Sequence, residues 1–169
     1  KQGVAASDTA MINAMNGLAF LYADSYPDSV LGMIDGVVDA CRQSNYREGE
    51  ADAYKILGNA WQTKGNMVEA MTWYEKALRV AEKSRYRKGI PGIKNNMALI
   101  HMHQGNYPLA LAVFYESLEL AEQLGDRFVV ASTINNIAIV QFYQGMYDEA
   151  EASYRKTLDI STAIADTIN

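Results

Sequence analysis

Two pairs of asparagines, Asn95-Asn96 and Asn135-Asn136, stand forty residues apart in the chain. A carboxamide offers two N–H donors and an accepting oxygen, so amides set one period apart could hydrogen-bond the backbone of an extended peptide with little regard for its sequence. The competing use is structural, one member of each pair tying neighbouring helices together. At helix positions in the same register fall Lys55, Asn59 and Gln62, then Leu99, Met102 and His103, then Ser132, Ile139 and Tyr143. With the four asparagines these are the candidate peptide-binding residues, the amides serving the backbone and Leu99, Met102, Ile139 and Tyr143 supplying apolar pockets.

Other reactive residue types are too few or badly spaced. His101 and His103 are two residues apart, which on a helix sends them to different faces and disfavours joint metal binding. Cys41 is the only cysteine, so it can form neither an intramolecular disulfide nor a cysteine-based zinc site, and it reads as a small buried hydrophobe. No nucleophile–base pairing, phosphate-cradling glycine loop or close carboxylate pair is present. The expectation is a protein that is not an enzyme and needs no metal or cofactor.

A formal charge of −5 argues against a nucleic-acid surface, because binding phosphates requires a basic face. The cluster Lys83, Arg85, Arg87 and Lys88 reads as a solvated link rather than a docking patch. No run of 18 apolar residues occurs, so direct membrane contact by this segment is not expected, and no signal segment is evident. A start at Lys1 rather than methionine suggests a piece of a longer protein.

The elements that must position the candidates follow from an internal repeat. Gly65, Gly105 and Gly145 keep a forty-residue spacing, as do Arg47, Arg87 and Arg127; Ala70, Ala110 and Ala150; Tyr74, Phe114 and Tyr154; and Leu78, Leu118 and Leu158. Within each period apolar residues recur at helical spacing in two segments, which a glycine turn separates. The pattern predicts eight helices near 8–23, 28–43, 47–63, 67–83, 88–103, 107–123, 127–143 and 147–163, grouped in repeats near 7–46, 47–86, 87–126 and 127–166. Pro108 suits a first helical turn, and Pro91 is tolerated near a helix start or delays it. The first repeat is degenerate, with Ser25-Tyr26-Pro27-Asp28 in place of the glycine turn. Asp166-Thr167 coincides with Asp126-Arg127, where another repeat would begin.

These residues resemble the tetratricopeptide repeat in its forty-residue form. The small residue of the first helix is matched by Gly58, Ala98 and Ala138, the alanine opening the second by Ala70, Ala110 and Ala150, and the following aromatic by Tyr74, Phe114 and Tyr154. The late alanine survives only as Ala77, becoming Ser117 and Thr157, and the closing proline of the shorter repeat is absent. An all-α, right-handed superhelical α-solenoid of about four repeats is expected, one array over 1–169, its first helices lining a concave groove.

The resemblance implies a non-catalytic scaffold that holds a protein or peptide in that groove, with asparagines there used as above. Lys55, Asn59 and Asn96 also look like part of the carboxylate clamp of chaperone-binding tetratricopeptide domains. Two further cations are required, however, where this chain has Ser132 and Asn136. The wording Asn-Asn-x-Ala and Gln-Gly-x-Tyr is similar to repeats ahead of sensor histidine kinases and transcription regulators in Bacteroidetes, which implies a sensory or regulatory segment of a larger bacterial signalling protein. A free-standing adaptor is the alternative. The compartment follows from that choice, periplasmic for a membrane sensor kinase and otherwise cytoplasmic. Open array ends, near 147–163 in particular, are expected to favour homo-oligomers.

Overall fold

A computed structural model describes the backbone of residues 6–168 and the side chains of 8–167. The expectations that rest on Lys1 and Asn169 lie outside the described residues. Regular structure among the described residues is helical: α1 (Ala6–Tyr22), α2 (Pro27–Gln43), α3 (Arg47–Thr63), α4 (Met67–Ser84), a 3-10 turn (Arg87–Gly89), α5 (Ile90–His103), α6 (Tyr107–Leu124), α7 (Arg127–Tyr143) and α8 (Tyr147–Ile168). The fold is an all-α series of helix-turn-helix repeats. It forms two compact units, one up to Gly89 and one from Ile90. In the first, α3 packs on both α1 and α2 and pairs with α4; in the second, α7 packs on both α5 and α6 and pairs with α8.

The turns are explained residue by residue. Gly65, Gly105 and Gly145 have φ between 74° and 78°, the left-handed conformation that lets a chain leave one helix and reverse at once. Asn66 and Asn106 then cap the next helices, their Oδ1 atoms accepting from Glu69 N at 3.1 Å and Leu109 N at 3.4 Å. A second left-handed series, Asn45, Arg85 and Gly125, ends α2, α4 and α6 at the same forty-residue spacing.

The structure departs from the expected ranges chiefly in two places. Helix α8 runs on to Ile168 instead of stopping near 163. The residue in register with Asn45, Arg85 and Gly125 is Ala165, which does not take the left-handed conformation, so the helix continues. The segment expected to start at 88 opens as a 3-10 turn and becomes α-helical at Ile90, so that Pro91 occupies the first turn.

Glycines record close approaches in the first unit. A Cβ on Gly49 would lie 2.6 Å from Tyr46 Cδ1, and one on Gly89 2.5 Å from Tyr86 Cε1. In the third period Asp126 replaces the tyrosine and caps α7 through Val129 N at 3.1 Å, and with no ring to clear the glycine position becomes Val129.

Each unit has a core where second-helix aromatics meet first-helix small residues. Tyr74, Ala70, Ala77 and Ala81 are fully buried in the first unit. In the second, Ala98, Ala110 and Phe114 cluster with Ile137 and Val140 of α7, while Ala121 clusters with Val130 and Ile134. Burying a side chain the size of Phe114 contributes about 2–3 kcal/mol, and its own hairpin and α7 share in covering it.

Candidate functional site

In the second unit the five candidates on α5 and five on α7 divide by exposure. Asn95 is only 7 % exposed. Its Oδ1 accepts from Thr133 Oγ1 at 3.1 Å and from Asn136 Nδ2 at 3.1 Å, joining α5 to α7. Ser117 donates to the Pro91 carbonyl at 2.7 Å, and its oxygen lies 3.5 Å from Thr133 Oγ1. Both hydroxyl protons are thereby committed, so the Ser117–Thr133 approach is packing rather than a third bond. Asn95, Thr133 and Asn136 thus brace the unit, and Ser117 fills the late-alanine position because its hydroxyl ties α6 to the start of α5.

Asn96, Leu99 and Met102 are half-buried and His103 is exposed on α5, with Asn136 and Ile139 half-buried and Tyr143 63 % exposed on α7. The repeat register sets Asn96, Leu99 and His103 against Asn136, Ile139 and Tyr143. The Tyr143 ring stacks on Tyr107 with centroids 6.1 Å apart and planes 3° apart, which holds an exposed aromatic in a fixed pose. The two helices thus offer two stripes of the same order, amide then aliphatic then ring, of a kind that can receive a peptide. Ser132 and Asn135, together with Asn136, line a cleft of about 410 Å³ whose other walls are Phe128, Ala131, Thr157, Ser161 and Ile164.

The first-unit candidates sit on α3. Lys55 Nζ is 3.2 Å from Asp52 Oδ1, so its charge is already paired, and Asp52 Oδ2 also accepts from the Tyr86 hydroxyl at 3.1 Å. The buried Tyr74 places its hydroxyl 2.9 Å from Asn59 Oδ1 and 2.8 Å from Gln62 Oε1, and its single proton serves one of them at a time. Burial, with the negative charge of Asp52 next in weight, pushes the Tyr86 phenol up.

A network that the sequence pattern did not single out centres on Glu50, only 3 % exposed. Its carboxylate accepts from Arg47 Nη1 at 2.7 Å, Arg42 Nε at 3.1 Å and the Tyr54 hydroxyl at 3.0 Å. Burial works to raise its pKa, but the hydrogen bonds from Arg47, Arg42 and Tyr54 outweigh it and hold the carboxyl below its ordinary value. Burial first, then the charges of Glu50 and Asp52, pushes the Cys41 thiol up to about 11. Arg42 and Tyr54 also line a polar cleft of about 450 Å³ with Asp35, Asp39, Trp73 and Lys76. The Glu50-to-Tyr54 spacing of one helical turn was a legible signal; Arg42 comes from the preceding helix and was not. Among the described residues no group of three or more His, Cys, Asp or Glu side chains could hold a metal ion. None of the described helices is long and apolar enough to cross a membrane.

Residues 90–163 match one sequence model described as tetratricopeptide repeat and residues 51–84 match a second of the same description, together more than half of the chain. The chain belongs to the tetratricopeptide repeat family. Among curated proteins no sequence matches it. Solved structures similar to this tetratricopeptide chain include BtubC (BKLC) from P. vanneervenii, at 20 % identity and a TM-score of 0.63 over 94 % of this chain and 72 % of that one. Aspartyl phosphate phosphatase F from Bacillus subtilis aligns at 17 % identity and a TM-score of 0.69 over 93 % of this chain and 42 % of that one. A Rap protein complexed with Competence and Sporulation Factor aligns at 15 % identity and a TM-score of 0.64 over 92 % of this chain and 53 % of that one. The chain thus spans only about half the length of the last two, and the likeness is one of fold.

Proposed function

We propose that this tetratricopeptide chain is a non-catalytic scaffold that holds a peptide or protein segment on its first-helix faces. The observation that carries the reading is the pair of stripes on α5 and α7, where Leu99, Met102 and Ile139 remain half-buried and Tyr143 is exposed yet fixed against Tyr107. A fixed exposed ring beside amides suits an extended peptide, whose backbone the amides hold while apolar side chains meet the ring. The family favours the same reading, as does the bound factor in the similar Rap complex.

Within that role, the four repeats act as one array in the sensory or regulatory segment of a larger bacterial signalling protein, and copies meet through the array ends. The alternative is a free-standing adaptor. Asn136 is unsuited to a binding test, because it braces Asn95. His103→Ala and Tyr143→Ala are better probes. Titration of an immobilised peptide library should show at least a tenfold loss for Tyr143→Ala with unchanged circular dichroism; equal binding by wild type and both variants would overturn the reading.

A further inference from the structure

We infer that the segment held on the α5 and α7 faces is uncharged, its side chains apolar or neutral wherever they meet the protein, so that this unit selects its ligand by refusing charge. This rests on the scaffold reading and names the chemical class of what the scaffold holds.

The charges of the second unit are sorted by helix. From Asn95 to His103 and from Ser132 to Tyr143 there is no lysine, arginine, aspartate or glutamate. The two cations earlier on these helices stand apart from the stripes. Lys94 Nζ is 2.7 Å from Glu116 Oε2 and so turns to α6, and Arg127 opens α7 at about 13 Å along the helix from Asn136. The carboxylates of the unit lie on α6 and α8, except for Asp126, which is spent capping α7 through Val129 N.

The first unit displays the alternative. At the register of Asn95 and Asn135, α3 places Lys55, and at the register of Ser132 it places Asp52, the two forming an ion pair at 3.2 Å. The repeat therefore admits charge on a first helix, and α5 and α7 put an amide where α3 has the lysine.

What such a face refuses follows from solvation. A ligand carboxylate or ammonium brought against Leu99, Met102 or Ile139 sheds water and meets no opposite charge. The exposed Tyr143 ring attracts a cation, but only weakly with no carboxylate beside it. A peptide backbone needs no ion, because it brings a donor and an acceptor of its own to the carboxamides. Leaving charge without a partner discriminates among ligands without adding any attraction for the favoured one. The net charge of −5 does draw basic ligands from a distance, yet salt screens that pull beyond about 8–10 Å, whereas selectivity at contact persists in salt.

The test uses the whole 169-residue chain and an immobilised library of random peptides, read at about 0.05 M and about 0.5 M salt. Bound peptides should be depleted of all four charged residue types over the contacted segment, and the Kd of the tightest should change by less than about twofold between the two salts. A single lysine or glutamate placed in that segment should weaken binding by at least about tenfold. His103→Lys and His103→Glu add a charge at the exposed end of the α5 stripe. The first should recover the glutamate-bearing peptide and the second the lysine-bearing one, each now in a salt-dependent way. Wild-type binders enriched in either charge, an affinity that falls about tenfold with salt, or no recovery by either variant at unchanged circular dichroism would each overturn the inference. Tyr143→Ala keeps the two readings apart. If it still weakens charged binders, the scaffold stands and only the refusal of charge falls; binders indifferent to both Tyr143→Ala and His103→Ala remove the scaffold reading itself.

Discussion

The Tyr74 ring lies so close to the backbone of Gly58 that a Cβ there would stand 2.2 Å from Tyr74 Cε1. One period later the same contact is made by Ala98 and Phe114, both fully buried. The difference is the phenol. Tyr74 is held by its hydroxyl between Asn59 and Gln62, whereas Phe114 has no such tether and can settle away from an added methyl.

Gly58→Ala should therefore destabilise by about 1–3 kcal/mol through overpacking, although alanine is the better helix former by about 1 kcal/mol. Adding Tyr74→Phe reproduces the neighbouring Ala98–Phe114 pair and should restore most of the loss. Denaturant midpoints of the two single variants and the double give the coupling.

Asn95→Ala should cost about 1–3 kcal/mol, because it strips the buried Thr133 hydroxyl of its acceptor. Thr133→Val in the same chain removes the orphaned donor, so the double variant should be less destabilised than the sum of the singles. Additive losses would mean that the bond carries no coupling.

Glu50 should make stability fall with acid. Its folded pKa lies below the unfolded value near 4.5, so its contribution is complete above that range and is lost as pH falls through the folded value. Urea midpoints measured from about pH 7 down to about pH 3 should drop more steeply for wild type than for Glu50→Gln, which cannot titrate.

Arg85 holds φ at 60° in the position that Gly125 occupies one period later. Left-handed backbone costs a side-chain-bearing residue about 1 kcal/mol, partly offset by the entropy glycine adds to the unfolded chain. Arg85→Gly should raise the denaturant midpoint slightly, and Gly125→Arg should lower it by about 1 kcal/mol.

Much of the molecule is legible in the chain because a repeat protein is built from local hairpins. The Gly65, Gly105 and Gly145 series, the recurring alanines and the aromatic series each report a contact within about thirty residues, and helical periodicity carries that contact in the sequence itself. The end of α8 was misjudged because the left-handed series Asn45, Arg85 and Gly125 is written in three residue types, and only backbone angles unite them.

By itself, then, the sequence determined the period, the family, the helix-turn-helix order and the small-against-aromatic core. Tertiary structure alone decided which amides do what. Asn95 and Asn135 occupy equivalent positions, yet one is buried against Thr133 and Asn136 and the other lines a cleft. Lys55, a candidate from its register, is found paired with Asp52, and Glu50 is held as a buried carboxylate by Arg42 from the preceding helix. Burial and pairing belong to the neighbour that covers a residue, and periodicity, being the same for every repeat, cannot say which neighbour is there.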